Sequence, residues 1–489
     1  MGGRCQTHTC ILTGGGPPVI DQPLPPRPYA IAHRGASAYA PDNTLAAFRK
    51  AAELGADMWE VDIRMTADGA VVAFHDPVLG DGRAVANVTL AELRKAQPDC
   101  PLLTDVLALA AESGAGIYAD IKDINASLST LDWLKTHKID LAILGAFDTD
   151  VTDLLRHAGC PYPIAALVPL GADPHGHAPC ADVIHLCWER MERPQDTLIE
   201  SFFRRAFADG QRVVLWHEED PVRMAAIRTR PVTGICSDMP ELVNPFRPPA
   251  TWPVEVVCHR GANKIAPENT LPAVECALAA GFSHAEVDLH LTTDGEIVVI
   301  HDPTLDRTTS GTGPVPAMTL AELRALDAGG WFDPFFAGTR IPTLQEVLAV
   351  ALKHDGQLYL ELKSAPPAPV WDQVTEAGLQ ERVFFWSFNR NFLRNLRSLA
   401  PTARIMARRQ DYPDLQAAID DYGADLIEFL PGDDPLEVAT LRGGRMRSMV
   451  AYMEKTPDIF DRIIAMRPDM VNLDDPFAFR RHLAACDVS

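Results

Sequence analysis

The chain has 489 residues, a formal net charge of −22 and 47% hydrophobic residues. Its length exceeds what one ordinary domain needs, and its acidic excess argues against nucleic acid and anionic membrane surfaces as partners. No window of about 18 apolar residues offers a membrane span, so no stable membrane association is expected.

Residues 1–27 read as a flexible leader, because Gly14-Gly-Gly-Pro-Pro18 and the prolines of 23–28 offer nothing to bury and no apolar core of a secretory signal follows Arg4. Strand-like runs then recur around 29–33, 58–63, 116–121, 140–146, 163–168, 182–187 and 212–216. They alternate with Ala/Leu-rich helical stretches such as Thr44–Leu54, the pattern of a parallel sheet closed by helices. A hairpin strand ending at His75 and a run at 233–237 make nine candidates for eight places in a barrel, so one is an addition. Asn244-Pro-Phe-Arg-Pro-Pro-Ala-Thr-Trp-Pro253 can neither enter a sheet interior nor continue a helix. The predicted organisation is a first barrel at 28–246, a Pro-rich linker at 247–253 and a second barrel at 254–489, each near the usual size of about 250 residues for an α/β TIM-type (β/α)8 fold. The 10 cysteines are scattered, several inside strands (Cys187, Cys236, Cys258), which fits reduced thiols and a cytoplasmic location; Cys5 and Cys10 are exposed on this reading.

Titratable residues recur at one constant offset. His33-Arg34-Gly35 returns as His259-Arg260-Gly261, Glu60 and Asp62 as Glu286 and Asp288, and His75-Asp76 as His301-Asp302, each 226 positions on (259 − 33 = 286 − 60 = 301 − 75). A duplication explains this register. Within each copy, strand alternation puts the paired carboxylates on one face. The Asp68-Gly69 and Asp294-Gly295 dipeptides predict two-residue hairpins that set Asp62 opposite His75 and Asp288 opposite His301. A third carboxylate follows on a later strand, Asp120 in the first half and Glu361 in the second, with Lys122 or Lys363 two residues on. Hard oxygen ligands in this number, without Cys, suit one Mg²⁺ or Ca²⁺ per site and leave the histidines for proton transfer. His137, His157, His175, His177, His185, His217 and His354 read as surface or structural.

His-Arg-Gly, Pro267-Glu268-Asn269-Thr270, Glu286-x-Asp288, Thr293-Asp294-Gly295, His301-Asp302-Pro303 with Arg307 beyond, and Glu361-Leu-Lys363 closely resemble the glycerophosphodiester phosphodiesterase family, once per half. The resemblance implies a TIM-type barrel that binds one divalent cation and hydrolyses glycerophosphodiesters to glycerol 3-phosphate and an alcohol. Carried onto this sequence, it makes Glu286, Asp288 and Glu361 metal ligands, His259 and His301 the acid/base pair, and Arg260 and Lys363 the phosphate clamp. Glu60, Asp62 and Asp120, His33 and His75, and Arg34 and Lys122 would do the same in the first half. Alternatives within this chemistry are a lyase-type attack releasing a cyclic phosphate, or a first barrel that binds phosphodiesters without turnover.

The halves differ. The first has Asp42 for Glu268 and Asp120 for Glu361, and no clear counterpart of Arg307. It also lacks about eleven residues matching the aromatic region Asp327–Thr339, a loop of the kind that covers substrates. Its site is therefore expected to be competent but more open. In the second half, Tyr452 is expected near the place of Trp216.

Overall fold

The computed structural model describes residues 24–177, 181–187, 196, 198–454 and 456–486. The expected leader, with Cys5 and Cys10, lies outside them except for residues 24–27. The chain divides into two compact units, Met1–Asn244 and Pro245–Ser489.

The first unit contains β1 (Tyr29–Ala32), β2 (Met58–Met65), β3 (Val71–Ala73), β4 (Gly116–Ile121), β5 (Ala142–Ala146), β6 (Ile164–Val168), β7 (Val183–Cys187), β8 (Arg212–Trp216) and β9 (Gly234–Ser237). Because β1 pairs in parallel with both β2 and β9, eight strands close into a barrel. The ninth is β3, antiparallel on β2, so the hairpin strand is the addition. The second unit repeats this with β10 (Glu255–Cys258), β11 (His284–Leu291), β12 (Ile297–Val299), β13 (Gln357–Leu362), β14 (Val383–Trp386), β15 (Arg404–Arg408), β16 (Leu426–Phe429), β17 (Arg447–Tyr452) and β18 (Met470–Leu473). Here β10 closes the ring against β11 and β18, and β12 is the antiparallel extra.

Strands buried on both faces are almost wholly apolar, and side-chain alternation divides them between two environments. Along β2, Trp59 packs outward on Phe48 of the helix Leu45–Leu54, while Met58 joins Ile31, Tyr118, Leu167, Val214 and Cys236 in the barrel interior. The same parity delivers Glu60 and Asp62, further along, to the carboxyl end of the barrel, where this fold carries its chemistry. The helix begins at Thr44, whose hydroxyl accepts from the Ala47 N–H, and ends at Gly55 with φ 77°.

One local expectation is corrected. The hairpins pair Ile63 with Ala73 and Leu289 with Val299, one residue out of the predicted register. Gly69 (φ 80°) and Gly295 (φ 87°) take the left-handed position of a three-residue turn, with Thr66 opposite Ala70 and Thr292 opposite Glu296. Asp62 therefore lies opposite Phe74, and His75 stands one residue past the pairing. The segment 327–339 is held locally. Asp327 Oδ1 accepts from the N–H groups of Gly329, Gly330 and Gly338 and folds this segment on itself, while Ala328 packs with Val298 and Ile300 behind the hairpin. None of its residues lines the cavity described below. Within 247–253, Trp252 is buried and its indole N–H donates to the Pro468 carbonyl at 2.8 Å.

Candidate active sites

The His-Arg-Gly corner shapes each site. Arg34 and Arg260 have φ of 57° and 58°, and Gly35 and Gly261 have 85° and 77°. A Cβ on Gly261 would lie 2.7 Å from the Ala273 carbonyl carbon, and one on Gly35 2.6 Å from the Ala47 Cβ. Strained non-glycine backbone of this kind persists where surroundings hold it. Here the turned peptide gives the Arg260 N–H to Glu286 Oε2 at 2.7 Å and the Arg34 N–H to Glu60 Oε2 at 2.9 Å. Asn43 and Asn269, also at positive φ, clamp the neighbouring carboxylates. Each donates its amide to Asp62 or Asp288 at 2.8 Å and accepts that residue's own N–H.

The sequence-predicted carboxylates come together. Glu60, Asp62 and Asp120 form one buried group, and Glu286, Asp288 and Glu361 another, each with ligand-capable oxygens within 4.8 Å of one another. Lys122 Nζ lies 2.6 Å from Asp120 and 3.1 Å from Asp62. Lys363 Nζ contacts Glu361 and lies 3.2 Å from Asp288. Burial and then repulsion from Asp288 push the Glu361 carboxyl up to about 7. Burial also opposes ionisation of Asp288, but Lys363, His301, Arg260 and His259 together outweigh it and hold that group below its ordinary value. Burial, together with Asp288 and Glu361, drives Glu286 upward, and its Oε1 has no hydrogen-bond partner. A buried carboxylate oxygen without a donor, beside two more carboxylates, is the arrangement that a cation completes. In the first site Asp120 is pushed up to about 6, again chiefly by burial, and Asp120 Oδ1 is the atom without a partner.

The histidines follow. His259 Nδ1 meets Asp474 Oδ1 at 2.6 Å, and Asp474 is further held by Asn263 and Lys264. This leaves His259 Nε2 facing Glu286 Oε2 at 4.0 Å. His301 Nδ1 meets Asp302 at 2.6 Å. Arg307 bonds both Asp302 and Glu268, and Glu268 reaches Arg260 at 2.8 Å, so one charged chain runs from the Arg260 guanidinium to the His301 imidazole. In the first half this chain is cut. Arg34 reaches Asp62 at 3.2 Å and the shorter Asp42 at 3.1 Å, and among the described residues no arginine bonds Asp76 behind His75. The His75 carbonyl is fixed instead by Arg64 Nε at 2.8 Å, at the place where His290 stands 3.3 Å from the His301 carbonyl.

Trp216 makes the largest difference. Its indole N–H donates to His33 Nε2 at 2.8 Å, while His33 Nδ1 meets Asp238 at 2.7 Å, so both nitrogens are engaged. Burial lowers the His33 pKa against the pull of Asp238. Asp238 itself sits at about 2, where burial is outweighed by donation from His33 and the Ser37 hydroxyl. His217, expected to be a surface or structural residue, stacks on His33 at 4.6 Å. Sheet register also corrects the expected place of Tyr452. Val214 and Met449 occupy equivalent positions, both paired with the first residue of the closing strand, so Trp216 corresponds to Ala451. The Tyr452 hydroxyl bonds Thr456 instead.

A cavity of about 440 Å³ opens where the second barrel has Ala451, running from His259, Glu286, His301, Glu361 and Lys363 to Trp386, Arg408, Glu428 and Asn472. Sequence reading missed these last four. The signal was a lone carboxylate inside the apolar run Leu426-Ile-Glu-Phe429. Among the described residues, no disulfide joins the cysteines and no helix is long and apolar enough to cross a membrane.

The sequence profile of the glycerophosphoryl diester phosphodiesterase family matches residues 33–242 and 259–427. A glycerophosphodiester phosphodiesterase from Caldanaerobacter subterraneus is 42% identical over 156 residues, 31% of this chain and 64% of its own length. Another from Bacillus subtilis is 34% identical over 187 residues, again spanning 64% of the relative. The match thus covers a little under two thirds of these relatives. A solved glycerophosphodiester phosphodiesterase from Agrobacterium tumefaciens aligns over 47% of this chain and 99% of its own, with 36% identity and a TM-score of 0.45.

Proposed function

Since the chain belongs to the glycerophosphoryl diester phosphodiesterase family, we propose that its second barrel hydrolyses glycerophosphodiesters to glycerol 3-phosphate and an alcohol with one bound Mg²⁺ or Ca²⁺. The observation that carries this reading is the convergence of three buried carboxylates with two imidazoles that are each backed by an aspartate and are not themselves needed as ligands.

Glu286, Asp288 and Glu361 would hold the cation, whose bound charge lowers the cost of negative charge building on the phosphoryl oxygens. The orphaned Glu286 Oε1 fits that role. Arg260 and Lys363, fixed by Glu268 and by the carboxylates, supply the remaining positive charge without reorganising during the reaction. Asp474 and Asp302 hold the Nδ1–H tautomers of His259 and His301, leaving each Nε2 to accept or deliver a proton. One imidazole takes the proton of the attacking water and the other protonates the leaving alkoxide, each step worth about 10²–10⁴ in rate.

In the first barrel the engaged Nε2 of His33 favours a second reading, namely phosphodiester binding with little turnover. Both readings are tested by assaying a panel of glycerophosphodiesters with His259→Ala and, separately, His33→Ala. Loss of turnover only with His259→Ala supports both. Equal loss with His33→Ala sinks the second.

A further inference from the structure

We propose that Asp461, His482 and Cys486 form a Zn²⁺ site on the outer face of the second barrel, separate from the carboxylate group that would hold the catalytic cation.

The three residues come from two neighbouring helices, Pro457–Met466 and Pro476–Ala485. His482 lies in the last turn of the second helix. Cys486 caps that helix, its N–H donating to the His482 carbonyl, so imidazole and thiol stand one turn apart on one face. Asp461 meets them from the first helix. Its Oδ1 lies 2.7 Å from His482 Nε2 and 4.0 Å from Cys486 Sγ. Among the described residues this is the one group of three ligand-capable side chains, with ligand atoms all within 4.8 Å of one another, that lies outside the two barrel mouths.

The donor types decide which ion fits. A thiolate and an imidazole beside a single carboxylate favour Zn²⁺ over Mg²⁺ or Ca²⁺, which take oxygen ligands. Tetrahedral zinc at about 2.0–2.3 Å from such ligands sets them about 3.5 Å apart. The two separations from Asp461 Oδ1 bracket that value, and small side-chain rotations bring both to it. Phe460, buried and packed on Phe479 at 5.4 Å, seats the His482 ring at 5.6 Å. The Asp461 side chain is 67% exposed, which opens an approach from solvent and leaves a fourth position to water. A cation held there lies at the carboxyl end of the helix Pro476–Ala485, where the helix dipole favours positive charge. Its entry shifts the imidazole proton from Nε2 to Nδ1 and releases the thiol proton to solvent, so affinity rises with pH. The first barrel ends on the single turn Pro240–Leu242 and, among the described residues, has no such helix.

The test is titration of the full, reduced chain with Co²⁺ in saturating Mg²⁺, followed by sulfur-to-cobalt charge-transfer absorption, which the carboxylate groups cannot produce. The band should saturate at one Co²⁺ per chain and bleach on addition of Zn²⁺. Cys486→Ser should abolish it with circular dichroism unchanged. His482→Gln and Asp461→Asn should each raise the Co²⁺ concentration at half-saturation by at least about 10-fold. A chain that gives no band, a band that persists in Cys486→Ser, or one indifferent to both other substitutions overturns the site. The readout does not involve hydrolysis, so its outcome is independent of the reading of the active site.

Discussion

His33 and His259 show how one neighbour can decide what an imidazole does. Both are backed by an aspartate at their Nδ1, but Trp216 donates to His33 Nε2 whereas Ala451 leaves His259 Nε2 open. Burial lowers the His33 pKa despite Asp238, and protonating Nε2 would in addition break the indole bond. The sign follows from linkage: the unfolded chain takes up the proton first as pH falls below about 6.5, so this group's contribution is present above that value and lost below it. Trp216→Phe should raise the His33 titration midpoint, read by nitrogen-detected NMR of the ring; an unchanged midpoint would show that the indole bond does not control it. Glu286→Gln should raise the divalent cation concentration needed for half-maximal activity by at least about 10-fold, with circular dichroism unchanged. His259→Ala should leave that concentration nearly unaltered. Loss of cation binding in His259→Ala, measured by calorimetry, would overturn the separation of ligands from proton carriers.

At the scale of elements, alternation along β2 and β11 and the recurrence at 226 were legible because strand period and duplication both act locally on sequence. Asp-Gly marked each turn correctly, but the turn's length depends on which residue takes the left-handed conformation, and Gly69 and Gly295 do so in a three-residue loop. The histidines still reach the carboxylates, because they stand just past the pairing. Trp386, Arg408, Glu428 and Asn472 were not legible, since the stagger between β14, β15, β16 and β18 decides which inward side chains share a level, and no local pattern records it. The two glycine positions make a paired prediction. Gly295→Ala meets nothing within 4 Å and bears only the positive φ, a cost of about 1 kcal/mol. Gly261→Ala adds a clash with the Ala273 backbone at 2.7 Å. It should cost roughly 3 kcal/mol or more and displace the Arg260 N–H from Glu286. Equal urea midpoints for the two variants would contradict this account of the corner.

At the scale of the whole molecule, two copies of one barrel have kept their carboxylates and diverged in what surrounds them. The carboxylate group is itself a source of strain without a cation. Glu361 is pushed up to about 7 by burial and by Asp288, so the metal-free native state holds a proton that the unfolded chain has already released above about 4.5. Its contribution to stability is full below that value and is lost as pH rises through 7. In chelated protein, Glu361→Gln should therefore gain over the unmodified chain by roughly 2–4 °C in Tm between pH 5.5 and 7.5, and added Mg²⁺ should reverse the order at pH 7.5. A difference that does not change with pH would remove the carboxylate from that role.

The central claim, hydrolysis by the second barrel through His259, is tested most directly by phosphorus NMR of glycerophosphocholine incubated with the full chain and Mg²⁺. Glycerol 3-phosphate should appear without a cyclic phosphate, and its rate should fall by about 10²-fold or more in His259→Ala while His33→Ala stays near the unmodified rate. Accumulation of a cyclic phosphate, or a rate that depends on His33 and not on His259, would contradict it.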